Sequence, residues 1–193
     1  MITFMPERIS RSTARVLLVD SVDRLLLYRG LLLQVEKPFY AWFTPGGAVD
    51  PGETLHQAAA RELREELGYV IAPSALGPVV ATSSGTWSLR GEMFTSVDSY
   101  FFLRVSDLKV DTSGMDDEER QTTDRFEWWA VPQLRSAAEL VVPAGLPALM
   151  DLLLQGNLPA QPIELPWHLP STGPRRTGSD VALQPRKPYS HPS

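Results

Sequence analysis

The stretch from Gly47 to Tyr69, GAVDPGETLHQAAARELREELGY, limits the fold more than any other part of the chain. It opens in a turn and then changes period. Asp50-Pro51-Gly52 is a strong turn signal. Thr54 followed by Gln57 has the spacing of a capping box, which predicts a helix start. Leu55, Ala58, Ala59, Leu63 and Leu67 fall mainly on one side of that helix, and Gly68 ends it. A helix with one apolar side needs a surface to lie on.

The flanking sequence supplies strands for that surface. Ala14 to Asp20 and Leu25 to Arg29 read as strands, paired as a hairpin across the turn at Ser21 to Arg24. Tyr40 to Thr44 is a short aromatic strand stopped by Pro45-Gly46-Gly47. Gly30 to Pro38, with its Leu run, fits either a buried segment or a loop near the substrate. Leu76 to Thr82 and Thr86 to Leu89 suggest two short strands around Ser83-Ser84-Gly85, and Phe94 to Val105 and Phe126 to Ala130 suggest two more. The acidic, polar run from Asp111 to Asp124 reads as a loop. Pro132 to Leu140 reads as a short helix and Pro147 to Leu154 as a final one.

Strands before and after one central helix predict a single α/β domain with a mixed sheet covered on both faces. The expected domain runs over residues 12–155. Residues 156–193 form a Pro-rich C-terminal tail, expected to be partly disordered, in which Leu165, Trp167 and Leu169 are candidates for docking on the domain.

Composition excludes some function classes. The chain has 193 residues, a formal net charge of -5 and no cysteine. Disulfides, thiolate nucleophiles and zinc–thiolate sites are therefore absent. The acidic balance makes a nucleic-acid partner an unfavoured expectation, because wrapping nucleic acid by counterion release calls for a basic surface. The amino-terminal sequence lacks a long apolar signal region, and no apolar run is long enough for a bilayer. The expectation is a cytoplasmic protein that does not span a membrane. His56 has no partner at metal-ligand spacing. His168 and His191 lie in the tail and receive no role.

The chemistry concentrates on the helix. Glu62, Glu65 and Glu66 stand at i, i+3 and i+4, so three carboxylates share one face. Like charges at that spacing repel unless a cation compensates them, and hard oxygen ligands suit Mg²⁺ or Mn²⁺. Glu53 precedes the helix and can pair with Arg61. Taken alone, RELREE also fits an ordinary solvated face stitched by Arg–Glu pairs. The spacing to Pro45-Gly46-Gly47 before it and to Gly68 after it changes that reading.

Gly47, Glu53, Arg61, Glu62, Leu63, Glu65, Glu66 and Gly68 together resemble the Nudix box. Tyr69 departs from it, standing where Ile, Leu or Val is usual. The resemblance implies a Nudix-type α/β/α sandwich and an enzyme that hydrolyses a diphosphate bond in a nucleoside diphosphate derivative with the help of Mg²⁺, or of Mn²⁺. It implies that Glu62, Glu65 and Glu66 hold the cation, with a backbone group of Gly46 beside them. Glu53 and Arg61 would hold the loop–helix–loop in shape, and Gly47 and Gly68 would allow its turns. The general base is either one of these glutamates or an acid from a later loop. Glu119 is preferred, with Glu118 close behind it and Asp98 weaker. Arg29 and Trp42 are candidates for contact with substrate. Lys37 is a further cation within reach of a phosphate.

Substrate is left broad. Ser84 stands where relatives acting on ADP-ribose often carry proline, and Thr86 where those acting on dinucleoside polyphosphates often carry tyrosine. Nucleoside triphosphates, oxidised nucleotides and nucleotide sugars remain. One alternative is removal of diphosphate from an RNA 5′ end. Another is a non-catalytic nucleotide-binding regulator, which the retained box glutamates disfavour. The resemblance also allows a homodimer.

Overall fold

In the computed structural model, residues 9–33, 35, 37–89 and 92–168 are described. The central element is β1 (Ile9–Val19), whose residues are buried alternately on two sides. Val16 and Leu18 face one layer, while Leu17 and Val19 face the other. A strand covered on both faces needs a continuous apolar run, and VLLV provides it.

Among the described residues the sheet has nine strands: β1, β2 (Leu25–Leu32), β3 (Phe39–Phe43), β4 (Gly46–Ala48), β5 (Val79–Leu89), β6 (Glu92–Arg104), β7 (Thr123–Trp129), β8 (Val141–Val142) and β9 (Ile163–Leu165). Their order is β8-β3-β2-β1-β6-β5-β9, with β4 paired to β1 and β7 paired to β2. The sheet is mixed: β1–β6, β3–β8 and β5–β9 are parallel, and the rest antiparallel. Helix α1 (Leu55–Leu67) covers one face, packing Ala58, Ala59, Leu63 and Leu67 against Val16, Leu18 and Phe101. The other face is covered by α3 (Val131–Arg135) and α4 (Leu146–Leu154), through Leu134, Leu146, Leu149, Met150 and Leu153. The α/β/α sandwich expected from sequence is therefore present.

Several local expectations change. β1 and β2 meet only at Val19 and Leu25; along its length β1 instead pairs in parallel with β6. The turn at Ser21 to Arg24 exists, but the expected hairpin does not extend beyond it. The two strands expected around Ser83-Ser84-Gly85 are one strand, β5. The Asp111–Asp124 segment is not simply a loop, because it contains α2 (Asp117–Thr122). Asp116 caps α2, and Glu119 returns a hydrogen bond to the Asp116 N–H. Three prolines do not keep the chain beyond Gly156 off the domain. Pro159, Pro162 and Pro166 bracket β9, which pairs with β5 and buries Leu165 in the α4-side core. Trp167 packs on a smaller cluster with Leu32, Trp87 and Phe94. Leu169, His191 and the remainder of the expected tail lie outside the described residues.

The burial of Leu165 gives a test. Leu165→Ala is expected to lower stability by about 2–3 kcal/mol in urea denaturation, as for a buried leucine truncated in place. A loss under ~0.5 kcal/mol would mean that β9 is not part of the folded core.

Candidate active site

The site grows from α1. Thr54 accepts the Gln57 N–H, Gln57 returns a bond to the Thr54 N–H, and Gly68 closes the helix at φ 66°. This phase puts the alanines and leucines in the core and leaves Glu62 and Glu66 beside it. Both carboxylates are only 5 % exposed. The side chain of Glu65 is about one-third exposed.

Two glycines make room for the buried acids. The Glu66 carboxylate accepts the Gly46 N–H at 2.7 Å. Gly46 has φ 119°, and a Cβ there would stand 2.2 Å from the Ala14 carbonyl oxygen. A Cβ at Gly47 would stand 2.6 Å from the Glu62 carboxylate. Glycine is therefore demanded at Gly46, by the backbone beside it and by its left-handed conformation, while a side chain at Gly47 would displace the Glu62 carboxylate.

Arg61 ties the loop to the helix. Its guanidinium grips both oxygens of Glu53, at 3.0 and 3.1 Å, and donates to the Ala48 carbonyl at 2.8 Å. Its remaining edge reaches Glu62 at 2.8 Å and Glu65 at 3.0 Å. Glu53 also accepts the Asp50 N–H at 3.1 Å. A planar five-donor fork suits this many acceptors.

A second arginine faces the same carboxylates. Arg15, on β1, sits opposite Gly46 in the β1–β4 register. It donates to the carbonyls of Gly46 at 2.6 Å and Thr44 at 3.1 Å. Burial works against its charge, but Tyr28 and Asp98 beside it more than compensate, and its pKa stays above the ordinary arginine value. Sequence reasoning did not single out Arg15. Its place is fixed by pairing with a strand far along the chain, which no local motif announces.

Around these groups lies a pocket of about 320 Å³, lined by Arg15, Tyr28, Gly46, Glu62, Glu66 and Glu119 among others. Burial pushes the Glu66 carboxyl up to about 8, with the Gly46 N–H and Arg15 only partly offsetting it. Burial also raises Glu62, against the pull of Arg61. Arg61 holds Glu53 below the usual carboxylate range.

The other sequence candidates divide. Glu119 lines the pocket and Glu118 does not. Asp98 lines an adjoining pocket instead. Arg29 and Trp42 are not brought to either one. Arg29 is engaged by Glu139 at 2.5 Å and Asp124 at 3.1 Å, and Trp42 is buried with its Nε1–H on Glu139. These two residues serve the packing of β2 and β3. Lys37 is exposed and lines neither pocket. Among the described residues, no group of three or more acids or histidines is gathered ready to ligate a metal. Arg61 stands between Glu62 and Glu65, while Glu66 is turned to the Gly46 N–H.

The fold and this loop–helix–loop define a known class. The NUDIX domain model matches residues 10–151, so the chain belongs to the Nudix family. Among solved structures it resembles the MutT protein of Methanosarcina mazei Go1, at 19% identity over 79% of this chain and 99% of that one, with a TM-score of 0.52. It also resembles a bifunctional NMN adenylyltransferase/ADP ribose pyrophosphatase from Francisella tularensis, at 19% identity over 78% of this chain and 42% of that one, with a TM-score of 0.51. These likenesses concern the fold. By sequence it is 51% identical over 45 residues to a protein of Bacillus subtilis (strain 168) assigned as an 8-oxo-dGTP diphosphatase, covering 23% of this chain and 30% of that one. It is 43% identical over 58 residues to an RNA pyrophosphohydrolase of Novosphingobium aromaticivorans, covering 30% and 34%. The matched stretches span about a third of each relative's length. Among the described residues no helix is long and apolar enough to cross a membrane.

The Arg61 hub is testable apart from activity. Arg61→Ala leaves Glu62 and Glu53 without their charged donor and is expected to cost about 2–3 kcal/mol in chemical denaturation. Arg61→Lys is expected to recover less than half of that, because an ammonium cannot reproduce the fork. Full recovery by lysine would show that charge alone, and not the bidentate geometry, holds the loop.

Proposed function

We propose that this protein is a Mg²⁺-dependent pyrophosphohydrolase that cleaves a diphosphate bond in a small nucleotide. The observation that carries this reading is the pocket in which two buried, poorly compensated carboxylates, Glu62 and Glu66, face Arg15 and Glu119.

The donor set fits a hard divalent cation. Burial raises both carboxyls in spite of Arg61 and Arg15 beside them, so a divalent cation would favour their charged form, and Mg²⁺ or Mn²⁺ is the cation such oxygens prefer. Glu62, Glu65 and Glu66 would hold it, with the Gly46 carbonyl as a neutral donor. When bound, the cation neutralises the diphosphate oxygens and makes the attacking water more acidic.

The remaining work falls to the protein's own groups. Arg15 offers a fixed guanidinium to a phosphate entering the pocket, a geometry suited to anionic oxygens. Glu119, held at the first turn of α2 by Asp116 and lining the pocket, would accept the proton of the attacking water. Water oxygen then bonds to phosphorus and the bridging phosphorus–oxygen bond breaks. The products are a nucleoside monophosphate and a second phosphorylated fragment. Glu53 and Arg61 keep the loop rigid while this happens.

Small nucleotides are favoured over RNA ends by the net charge of -5. The short likenesses to an 8-oxo-dGTP diphosphatase and to an RNA pyrophosphohydrolase do not choose between them. Retention of Glu62, Glu65 and Glu66 favours an enzyme over a regulator that only binds nucleotide.

Phosphate release is the direct test, coupled to a pyrophosphatase for the triphosphates and to a phosphomonoesterase for nucleotide sugars and ADP-ribose, whose products are phosphate monoesters. Nucleoside triphosphates, oxidised purine nucleotides, nucleotide sugars, ADP-ribose and triphosphorylated RNA are compared with and without Mg²⁺. At least one small nucleotide is expected to turn over only with metal. Glu119→Gln and Glu65→Gln are each expected to lower kcat about 100-fold or more. Metal-independent turnover, or full activity in both variants, would overturn this reading.

A further inference from the structure

Tyr28 lines the carboxylate pocket together with Arg15, Glu62 and Glu66. Three strands fix its ring. It stands on β2, opposite Phe43 of β3 and Phe126 of β7. The ring stacks on Phe43 at 5.4 Å and lies 5.7 Å from Phe126. Gly30, two residues on, leaves space for its edge, since a Cβ there would stand 2.8 Å from Tyr28 Cε2. A phenylalanine ring would make the same contacts, so the packing does not account for the hydroxyl.

The hydroxyl meets Arg15. Arg15 donates from Nη1 to Tyr28 Oη at 3.4 Å, and from the same nitrogen to the carbonyls of Thr44 at 3.1 Å and Gly46 at 2.6 Å. Nη1 carries two of the five N–H groups of a guanidinium. The other three, on Nε and Nη2, have no acceptor among the described residues. The Tyr28 hydroxyl accepts a hydrogen bond from Arg15 and donates none among the described residues. Both residues are only partly buried and both line the pocket, so their uncommitted donors belong to its wall.

The charges around this pair suit a neutral donor. Burial raises the Tyr28 phenol above its usual pKa, Arg15 pulls it down, and Glu66 and Glu62 push it up again. The phenol therefore keeps its proton. A second cation in its place would neutralise the two acids and oppose a divalent ion beside them. A phenol O–H adds a donor for an anion without adding charge. Accepting a bond from a guanidinium also polarises the hydroxyl, which strengthens the bond it can donate.

We propose that Tyr28 is a phosphate-binding residue, whose hydroxyl joins the free edge of Arg15 as a donor pair for a phosphoryl group in the pocket that Glu62 and Glu66 line. The inference rests on the pyrophosphohydrolase reading for the identity of the anion as a diphosphate. The ligand that matches the pair is an oxyanion with at least two free oxygens, one for the phenol and one for the guanidinium. The acids hold the cation, and the donor pair holds the anion directly. The aromatic neighbours of Tyr28 keep its ring fixed, so the hydroxyl is set before the ligand arrives.

The test is calorimetric binding of methylenediphosphonate, a diphosphate analogue that water cannot cleave, to the full chain with saturating Mg²⁺. Tyr28→Phe keeps the ring between Phe43 and Phe126 and removes only the hydroxyl. It is expected to bind the diphosphonate about tenfold more weakly than the wild type. Its melting temperature and its response to Mg²⁺ alone are expected to stay as in the wild type. In hydrolysis of the nucleotide that the wild type prefers, the same variant is expected to raise KM about tenfold and to change kcat by less than about twofold. Wild-type affinity for the diphosphonate in Tyr28→Phe overturns the proposal and leaves the residue to packing. So does weaker binding that comes with a lower melting temperature or a lost response to Mg²⁺, which marks a structural role. A wild type that binds no diphosphonate overturns it as well. A chain that shows the tenfold loss yet hydrolyses nothing with Mg²⁺ overturns the pyrophosphohydrolase reading and leaves the donor pair standing. A chain that hydrolyses nucleotides with an unchanged KM in Tyr28→Phe does the reverse.

Discussion

The structure depends on the burial of two carboxylates against a glycine backbone. Glu66 takes the Gly46 N–H, and Glu62 lies over Gly47 where a Cβ would collide with it. That contact joins α1 to the short strand β4, and β4 in turn pairs with β1 beside Arg15. The contact also costs stability, because each acid is desolvated without a full counter-charge. An arrangement kept in spite of such a cost has the character of a site, where local strain is offset by the surrounding fold.

The surrounding fold does this with a sheet covered on both faces. β1 gives alternate residues to the two helical layers, so the strand bearing Arg15 is fixed from both sides. Arg61 performs the same service for the loop, collecting Glu53, Ala48, Glu62 and Glu65 on one guanidinium. The carboxylate pocket and the cavity beside it then meet at Arg15.

How much of this was legible in the sequence follows from how local each signal is. Helix α1, its caps and its three glutamates are set by residues within one stretch, and they could be read there. Glu119 stands in an acidic run whose polarity reads as loop, although the Asp116 to Glu119 spacing is a capping signal for the helix that is there. Arg15 carried no local signal, since its neighbours are brought to it by β4 and β6. Arg29 and Trp42 are candidate substrate contacts in the sequence, and their common partner Glu139 lies too far along the chain for any local signal to announce it. His168 was set aside with the Pro-rich segment. Only the parallel pairing of β9 with β5 carries it to the cavity, and no periodicity announces a strand that short.

The most direct measurement is thermal unfolding of the metal-free protein with and without Mg²⁺, for the wild type and for Glu66→Gln. Glutamine keeps an acceptor for the Gly46 N–H and removes the buried charge. The expected result is that saturating Mg²⁺ raises the wild-type melting temperature by roughly 5 °C, through preferential binding to the folded state. Glu66→Gln is expected to be at least as stable as the wild type without metal and to gain little when metal is added. A wild type indifferent to Mg²⁺, or a variant that gains as much as the wild type, would contradict the assignment of these buried carboxylates as a cation site.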